Sequence, residues 1–182
     1  YNIYYKVLNA KDFNLPQNRE RITIVCIRKD IDNGMFKFPK SSENFVTISD
    51  IKEDDSVTEK YILNREDIHI DEKKLSDAIK NGKVSKPLQI GIIGKGGQGN
   101  RIYHENGIGI TLAASSGGAA SKTGAYYING KIRKLSPREA ARLQGFPEKF
   151  KIIENDNQSL KQFGNSVPIN LLKEVFKGLK DI

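Results

Sequence analysis

The sequence predicts an α/β protein in two parts, and three observations support this prediction. Residues 1–8 and 21–27 are rich in Ile, Val and Tyr, which is typical of strands. Residues 86–135 contain further short β-rich runs separated by glycine turns, which predicts a small, mostly antiparallel unit. Helical periodicity occupies residues 71–81 and the C-terminal end. Such a mixture indicates one domain or two small ones within the 182 residues.

The two N-terminal runs are expected to be strands of a larger sheet. Residues 21–27 form an almost continuous apolar run, so we expect this strand to be covered on both faces. Cys26 lies inside it and is expected to be a small core residue. As a lone cysteine it cannot form an internal disulfide, which suits a cytosolic protein. A chain that begins directly on a strand is expected to be the later part of a longer protein.

Several kinds of protein are disfavoured. The sequence has no run of about 18 apolar residues, which a membrane-spanning helix would need. Its first residues lack the basic start and apolar middle of a secretory signal. His69 and His104 are not spaced as metal ligands, so we expect no metal site.

Turn and cap signals predict most of the element boundaries. Ser56 and Glu59 are spaced as a capping box for a short helix near residues 57–62. Asp71 is a suitable N-cap for the helix that Gly82 ends. Three further signals are the strand-turn-strand pattern around Asn129-Gly130, the Ser136-Pro137-Arg138-Glu139 helix start, and the Gly164-Asn165-Ser166 turn before a last amphipathic helix. The N-terminus of that last helix would favour a carboxylate or phosphate.

The stretch Gly91–Gly118 organises the second part of the chain. It contains two glycine-rich loops, at residues 94–99 and 115–118, and strands are predicted to lead into them at 86–93 and 108–114. Glycine has no Cβ and therefore lets another molecule approach the backbone closely. Gln and Arg are the residue types that pair with the edges of adenine and guanine. We therefore expect two base-reading loops, whose polar side chains are Lys95, Gln98, Asn100 and Arg101.

Other glycine-loop functions fit less well. A dinucleotide-binding loop needs a helix directly after its glycines, whereas residues 104–107 read as a turn. A phosphate-binding P-loop needs Ser or Thr after its lysine, whereas Lys95 is followed by Gly96. A flexible surface hairpin remains open.

The net charge of +8 is concentrated around these loops. From Lys83 to Arg142 there are ten Lys and Arg but two Asp and Glu, so this segment accounts for the whole excess. A basic segment with loops of this kind is the expected footprint of a polyanion site. A solvated basic face that aids solubility is the alternative.

Three blocks of sequence then point to one enzyme family. Residues 15–22 read L-P-Q-N-R-E-R-I, residues 133–147 read R-K-L-S-P-R-E-A-A-R-L-Q-G-F-P, and residues 162–168 read Q-F-G-N-S-V-P. They resemble, in order, the Q-x-R-x-R block and the ninth and tenth motifs of DNA (cytosine-5) methyltransferases. The resemblance extends over nearly the whole chain, is weakest across residues 40–85, and covers only the later part of such an enzyme.

The resemblance implies a division of the chain. The α/β part would be the edge of a Rossmann-like methyltransferase domain, and the small sheet would be a target recognition domain. The boundaries expected on this basis are residues 1–49 for strands of the catalytic domain, 50–136 for the target recognition domain, 137–164 for a hinge segment, and 165–182 for a helix that returns to the catalytic domain.

The resemblance also implies roles for individual residues. Arg21 would lie against the extruded cytosine, and Arg19 would support the same loop as a second catalytic arginine. Asn165 and Ser166 would hold the amino-acid end of S-adenosylmethionine. On the DNA side, Gln98 would fill the space that the flipped base leaves and Arg101 would read guanine. Thr111 would grip a phosphate of the DNA backbone, and Gly117 and Gly118 would bring their own backbone groups against bases. Lys95 would also contact the DNA.

The activity implied is transfer of a methyl group from S-adenosylmethionine to cytosine in double-stranded DNA, with base flipping, within a bacterial restriction-modification system. The likeness around Gly94–Tyr103 implies a G-C-G-C target, although Ser115-Ser116 departs from the Tyr-Gly expected there.

The Pro-Cys-Gln and Glu-Asn-Val blocks of the family's first half are absent from this sequence. We therefore expect the chain to be inactive alone and to need that catalytic half as a partner, in the cytoplasm. One subunit of a split methyltransferase, a non-catalytic DNA-binding module and a general basic nucleic-acid-binding domain stay open.

Overall fold

The computed structural model describes residues 1–115 and 117–180 and has the predicted α/β character. Over these residues, two sheets are accompanied by short 3-10 turns and α-helices. The strands are β1 Asn2–Asn9, β2 Glu20–Ile27, β3 Ile68–Ile70, β4 Gln89–Ile93, β5 Arg101–His104, β6 Ala125–Ile128 and β7 Lys131–Lys134. The α-helices are α1 Asp55–Thr58, α2 Glu72–Lys80, α3 Pro137–Leu143, α4 Asp156–Asn165 and α5 Ile169–Gly178. None of these helices is long and apolar enough to cross a membrane.

Strands β1 and β2 form an antiparallel pair with one covered face. On that face Leu8 and Ile27 pack with Leu171 and Val175 of α5, because side chains alternate between the two faces of a strand. The opposite face is exposed and apolar, and its members are Ile3, Tyr5, Val7, Ile22 and Ile24.

The expectation that residues 21–27 are covered on both faces is therefore wrong for this chain. Cys26, paired in register with Ile3 on the same exposed face, is also not a core residue. The apolar run reflects a face that no other described part of this chain covers.

The second sheet has the order β3-β4-β5-β6-β7 and is antiparallel except between β5 and β6. Helices pack against both of its faces, although His69 of β3 and Gln89 of β4 stay exposed. Ile90 and Ile102 pack with Ala78 of α2 on one side. Tyr103 and Tyr126 pack with residues of α3 and α4 on the other. The predicted small, mostly antiparallel sheet is thus confirmed.

Several predicted boundaries hold. The β6–β7 hairpin turns through Asn129 and Gly130, whose φ angles of 49° and 79° are those of a type I′ turn. The Ser136 hydroxyl accepts a hydrogen bond from the Glu139 amide, and the Glu139 carboxylate accepts one from the Ser136 amide, so the capping box forms. Asp71 caps α2 through the Lys74 amide at 3.0 Å.

Other boundaries differ. Residues 57–62 contain the end of α1 and a 3-10 turn, and the N-cap is Asp54 without a side-chain bond rather than Ser56. Residues 108–114 do not form a strand. The backbone groups of Gly109 and Leu112 bond to residues 16–19, and those of Ile108, Ile110 and Ala113 bond to Lys86, Tyr126 and Lys122. Gly164 and Asn165 end helix α4, which the sequence patterns did not predict.

A buried ion pair fixes the junction between β7 and α3. The Arg133 guanidinium donates to both carboxylate oxygens of Glu139, at 2.8 and 2.7 Å, and both side chains are almost fully buried. The same carboxylate accepts from the amides of Ser136 and Glu53 at 2.8 and 2.9 Å. Bidentate geometry and these extra donors satisfy a charge that would otherwise be costly to bury.

Candidate functional site

Arg19 joins the two parts of the molecule. It lies just before β2, is 7% exposed, and donates through one terminal nitrogen to the Leu112 carbonyl at 3.1 Å. Its other terminal nitrogen donates to the carbonyls of Gly164 and Ser166, at 3.3 and 3.1 Å. Burial, and then the charge of Arg21, lower the pKa of this guanidinium. Arg19 therefore holds the loop after Gly109 against the turn at the end of α4.

Gln17 completes this clamp. Its side chain is fully buried, its amide nitrogen donates to the Leu143 carbonyl at 3.2 Å, and its amide oxygen accepts from the Leu112 amide at 3.2 Å. The backbone of Gly109 bonds on either side of it, because its amide donates to Pro16 and its carbonyl accepts from Asn18. Gln17 is the glutamine of the Q-x-R-x-R block, but the sequence assigned it no role of its own.

The packing around Gly164 explains why a glycine is needed at the end of α4. A Cβ at this position would lie 2.6 Å from the Ala113 carbonyl carbon and the Ala114 nitrogen. Backbone atoms cannot give way as a flexible side chain can. The close approach brings the end of α4 directly against the segment that enters the second glycine loop.

A cavity of about 390 Å³ gathers the predicted catalytic and cofactor residues. Arg21 reaches it from β2, while Asn165 and Ser166 reach it from the end of α4, so residues far apart in sequence share one space. The rest of the lining is largely apolar, including Ile24 and Leu171. Arg21 is exposed and donates to the neighbouring Glu20 carbonyl at 2.6 Å. The Ser166 hydroxyl donates to the Phe163 carbonyl at 2.8 Å, which leaves it able to accept.

A second cavity, of about 400 Å³, lies between the two glycine loops and the clamp. Gly99, Thr111 and Gly117 line it together with Lys122. The Thr111 hydroxyl donates to the Asn18 carbonyl at 2.6 Å and keeps its lone pairs for a further donor. Lys122 also donates to Asn157 at the start of α4, at 3.2 Å. The cavity is thus bordered by backbone, a hydroxyl and a cation, which suits a polar ligand.

The remaining predicted DNA contacts lie on the two glycine loops and at the start of β5. Lys95 and Arg101 are exposed on the first loop and on the start of β5. Gln98 begins the 3-10 turn Gln98–Asn100, and its side chain lies outside what the structure describes. Gly118 adopts a φ of 97°, which favours glycine. The assigned roles of these residues stay predictions.

Asn100 differs from the sequence-based expectation. Instead of standing free beside Arg101, its side chain bonds to the backbone of both glycine loops. Elsewhere, His104 is buried and its Nδ1 accepts from the Asn106 amide at 3.1 Å, which leaves it a structural role. Burial lowers the pKa of His104, although the charge of Glu105 opposes the shift.

Comparison with known proteins agrees with this arrangement. The model of the C-5 cytosine-specific DNA methylase family matches residues 1–181. The chain is 43% identical over 175 residues to the Type II methyltransferase M.HhaI of Haemophilus parahaemolyticus, covering 96% of this chain and 52% of that protein. It is 37% identical over 178 residues to M.SsoII of Shigella sonnei, covering 96% of this chain and 43% of that protein.

Solved structures show the same fold at low identity. The Entamoeba histolytica methyltransferase EhMeth superposes with a TM-score of 0.63 at 15% identity, covering 99% of this chain and 53% of that one. A putative DNA modification methyltransferase encoded within an Escherichia coli prophage gives 0.60 at 21% identity, covering 100% and 60%. The predicted α/β fold with a small, mostly antiparallel sheet therefore has solved counterparts.

The chain spans about half the length of the curated relatives it matches. Within that span the match is continuous from the first strand to the last helix, and it includes the blocks that build the clamp and both cavities. The chain belongs to the C-5 cytosine-specific DNA methylase family.

Proposed function

We propose that this chain is the C-terminal portion of a DNA (cytosine-5) methyltransferase of a bacterial restriction-modification system. It binds double-stranded DNA, helps to hold S-adenosylmethionine, and acts with a first half that carries the nucleophilic cysteine. The proposed target is G-C-G-C, reached by flipping the inner cytosine out of the duplex, and the proposed compartment is the cytoplasm. Bases inside a duplex are accessible to such chemistry only after extrusion.

The observation that carries this proposal is the 390 Å³ cavity that joins Arg21 to Asn165 and Ser166. A guanidinium is a strong donor to the polar edge of a cytosine. The Asn165 amide and Ser166 hydroxyl supply the donors and acceptors that an amino-acid group requires. In this assignment Arg21 contacts the base, while Arg19 positions the loop and holds the turn of Ser166. S-adenosylmethionine, when bound, supplies the methyl group.

This chain spans only about half the length of its family relatives, which supports a role for a second half. The exposed apolar face of β1 and β2 continues the wall of this cavity through Ile22 and Ile24. An apolar face of several side chains is a favourable place for another sheet or helix to pack. We assign this face to the catalytic half. We assign the nucleophile to that half as well, because Cys26 lies on the opposite face of β2 from Arg21 and outside any Pro-Cys-Gln sequence.

Reconstitution tests the proposal. This chain is mixed with a polypeptide that carries the first half of M.HhaI, and both are incubated with tritiated S-adenosylmethionine and a duplex containing one G-C-G-C site. We expect label in the DNA from the mixture and from neither half alone. Label incorporated by this chain alone would overturn the assignment of the nucleophile.

Variants sharpen the test. Arg21→Ala should lower the methylation rate of the mixture by about 100-fold, the scale of losing one charge-stabilising donor. Arg28→Ala is the matched control, since Arg28 follows the same strand, is exposed and pairs with Asp30. Cys26→Ser should leave the rate unchanged.

Duplex variants separate the open alternatives. Pre-methylating the inner cytosine on both strands should abolish incorporation, whereas changing the flanking sequence outside G-C-G-C should not. DNA binding without any gain in activity on adding the first half would instead support a non-catalytic DNA-binding module. Equal affinity for all sequences would support a general basic nucleic-acid-binding domain.

A further inference from the structure

The two glycine loops are in direct backbone contact. A Cβ at Gly99 would lie 1.9 Å from the Gly117 carbonyl oxygen, and one at Gly118 would lie 2.6 Å from the Gly99 carbonyl oxygen. The Ala120 amide donates to the same Gly99 carbonyl at 3.1 Å. Such an approach is open only to residues without side chains. The loops therefore form one surface, although Gly117 lies 18 positions after Gly99 in the sequence.

Asn100 is the side chain that bridges this surface. Its amide nitrogen donates to the Gly96 carbonyl at 3.2 Å, and its amide oxygen accepts from the Ala119 amide at 2.9 Å. One bond therefore goes to each loop. An amide is suited to this task because it carries a donor and an acceptor on one rigid group. Arg101, the proposed guanine reader, is the next residue along the chain.

We propose that Asn100 is a specificity-determining positioning residue, which fixes the separation of the two glycine loops and so aims Arg101 and the Gly117–Gly118 backbone at one set of base edges. Asn100 itself contacts no base. This inference rests on the proposed function, because it assumes that the loops read duplex DNA. Base readout requires donors and acceptors at fixed positions, whereas phosphate attraction tolerates displacement.

Binding selection with the full chain tests the proposal. The probe is a pool of duplexes with a randomised central segment, and bound duplexes are sequenced for the wild type and for Asn100→Ala. We expect the preference of the wild type for its selected site over a random duplex to fall by about tenfold or more, the scale of losing one aligned base contact. Affinity for the random duplex should stay unchanged, since the basic residues remain.

A second variant, Gly118→Ala, disturbs the Asn100 bridge from the second glycine loop. Gly118→Ala would place its Cβ 2.7 Å from the Asn100 amide oxygen, so it should reproduce the loss of preference. Gly82→Ala is its matched control: Gly82 also has a positive φ, of 65°, but nothing lies within 4 Å of an added Cβ. Gly82→Ala should keep the preference of the wild type.

Amide exchange separates failure of this inference from failure of the proposed function. In Asn100→Ala the Ala119 amide should exchange with solvent faster than in the wild type, with amides in β4 and β6 unchanged. A wild type that selects no sequence contradicts the proposed function. A selective wild type whose preference survives in Asn100→Ala overturns the role of Asn100, as does an unchanged Ala119 exchange rate. Loss of all DNA binding together with a lowered melting temperature would indicate unfolding and would likewise count against it.

Discussion

The five-stranded sheet and the two-stranded sheet differ in how completely this chain covers them. Helices cover much of both faces of the five-stranded sheet, α2 on one side and α3 and α4 on the other. The two-stranded sheet is covered on one face by α5 and presents an apolar face on the other. The exposed apolar face of the two-stranded sheet is where we propose that the first half of the enzyme packs.

The largest loss of stability is expected when the buried Arg133–Glu139 ion pair beside the five-stranded sheet is broken. Glu139→Ala would leave the Arg133 guanidinium buried at 1% exposure without its carboxylate. Removing one partner of a buried pair costs about 3–5 kcal/mol. Urea unfolding should show this loss in the free energy of unfolding. Glu148→Ala, which breaks a largely exposed pair with Arg142, should cost about 1 kcal/mol or less. Similar losses for the two variants would contradict the described interior.

The contact between the end of α4 and the segment that enters the second glycine loop should be the next most sensitive place. Gly164→Ala would force a methyl group against the backbone of Ala113 and Ala114. Overpacking of this kind costs about 1–3 kcal/mol. Thermal unfolding should show the loss, and the exposed position Lys161 on the same helix supplies the control as Lys161→Ala. An unaffected Gly164→Ala variant would mean that the end of α4 does not pack against Ala113 and Ala114 as described.

The hydrogen bond between Tyr61 and Asp156, a polar tether, gives a smaller, pH-dependent contribution to stability. The Tyr61 hydroxyl donates to the Asp156 carboxylate at 2.7 Å, which connects the 3-10 turn Glu59–Tyr61 to α4. Burial, and then this hydrogen bond, raise the pKa of Tyr61 from 10.0 to about 12. The stabilisation by the protonated phenol is therefore fully present below pH 10 and lost as the pH rises through about 12.

Tyr61→Phe should accordingly reduce the free energy of unfolding by about 1 kcal/mol at neutral pH. The difference from the wild type should shrink between about pH 10 and 12, where the wild-type phenol ionises. A difference that stayed constant across this range would rule out the tether.

The smallest change in the free energy of unfolding is expected on the exposed apolar face of β1 and β2. Ile24→Lys should change the free energy of unfolding of this chain by no more than about 0.5 kcal/mol, because the side chain is 57% exposed. Val25→Lys is the matched comparison, since Val25 is the next residue and packs toward α5. Placing a charge there should cost about 1–3 kcal/mol. In the reconstituted mixture, however, Ile24→Lys should prevent methylation.

The comparison also explains which features the sequence could predict. Local signals were reliable where one short segment determines its own conformation, as at the Asn129-Gly130 turn and the Ser136–Glu139 capping box. They were less reliable where a distant segment decides. Residues 108–114 look like a strand but bond to residues 16–19, and no local pattern records that partner.

The same distinction applies to the site. The sequence blocks that resemble the family predicted Arg21, Asn165 and Ser166, and the structure brings these residues into one cavity. The bridging role of Asn100 and the clamp of Gln17 could not be predicted, because each depends on loops or strands that meet only after folding. Cys26 looked buried because an apolar strand gives no sign of which of its faces the chain itself covers.

The central claim is that the first half of the enzyme packs on the exposed face of β1 and β2. The reactivity of Cys26 tests it most directly, since the Cys26 thiol lies on that face. The rate of thiol modification is followed by mass spectrometry of the Cys26 peptide, with and without the first half of M.HhaI. The account predicts rapid modification of the chain alone and protection when the first half is bound. A thiol that is unreactive in the chain alone, or equally reactive in an active mixture, would contradict it.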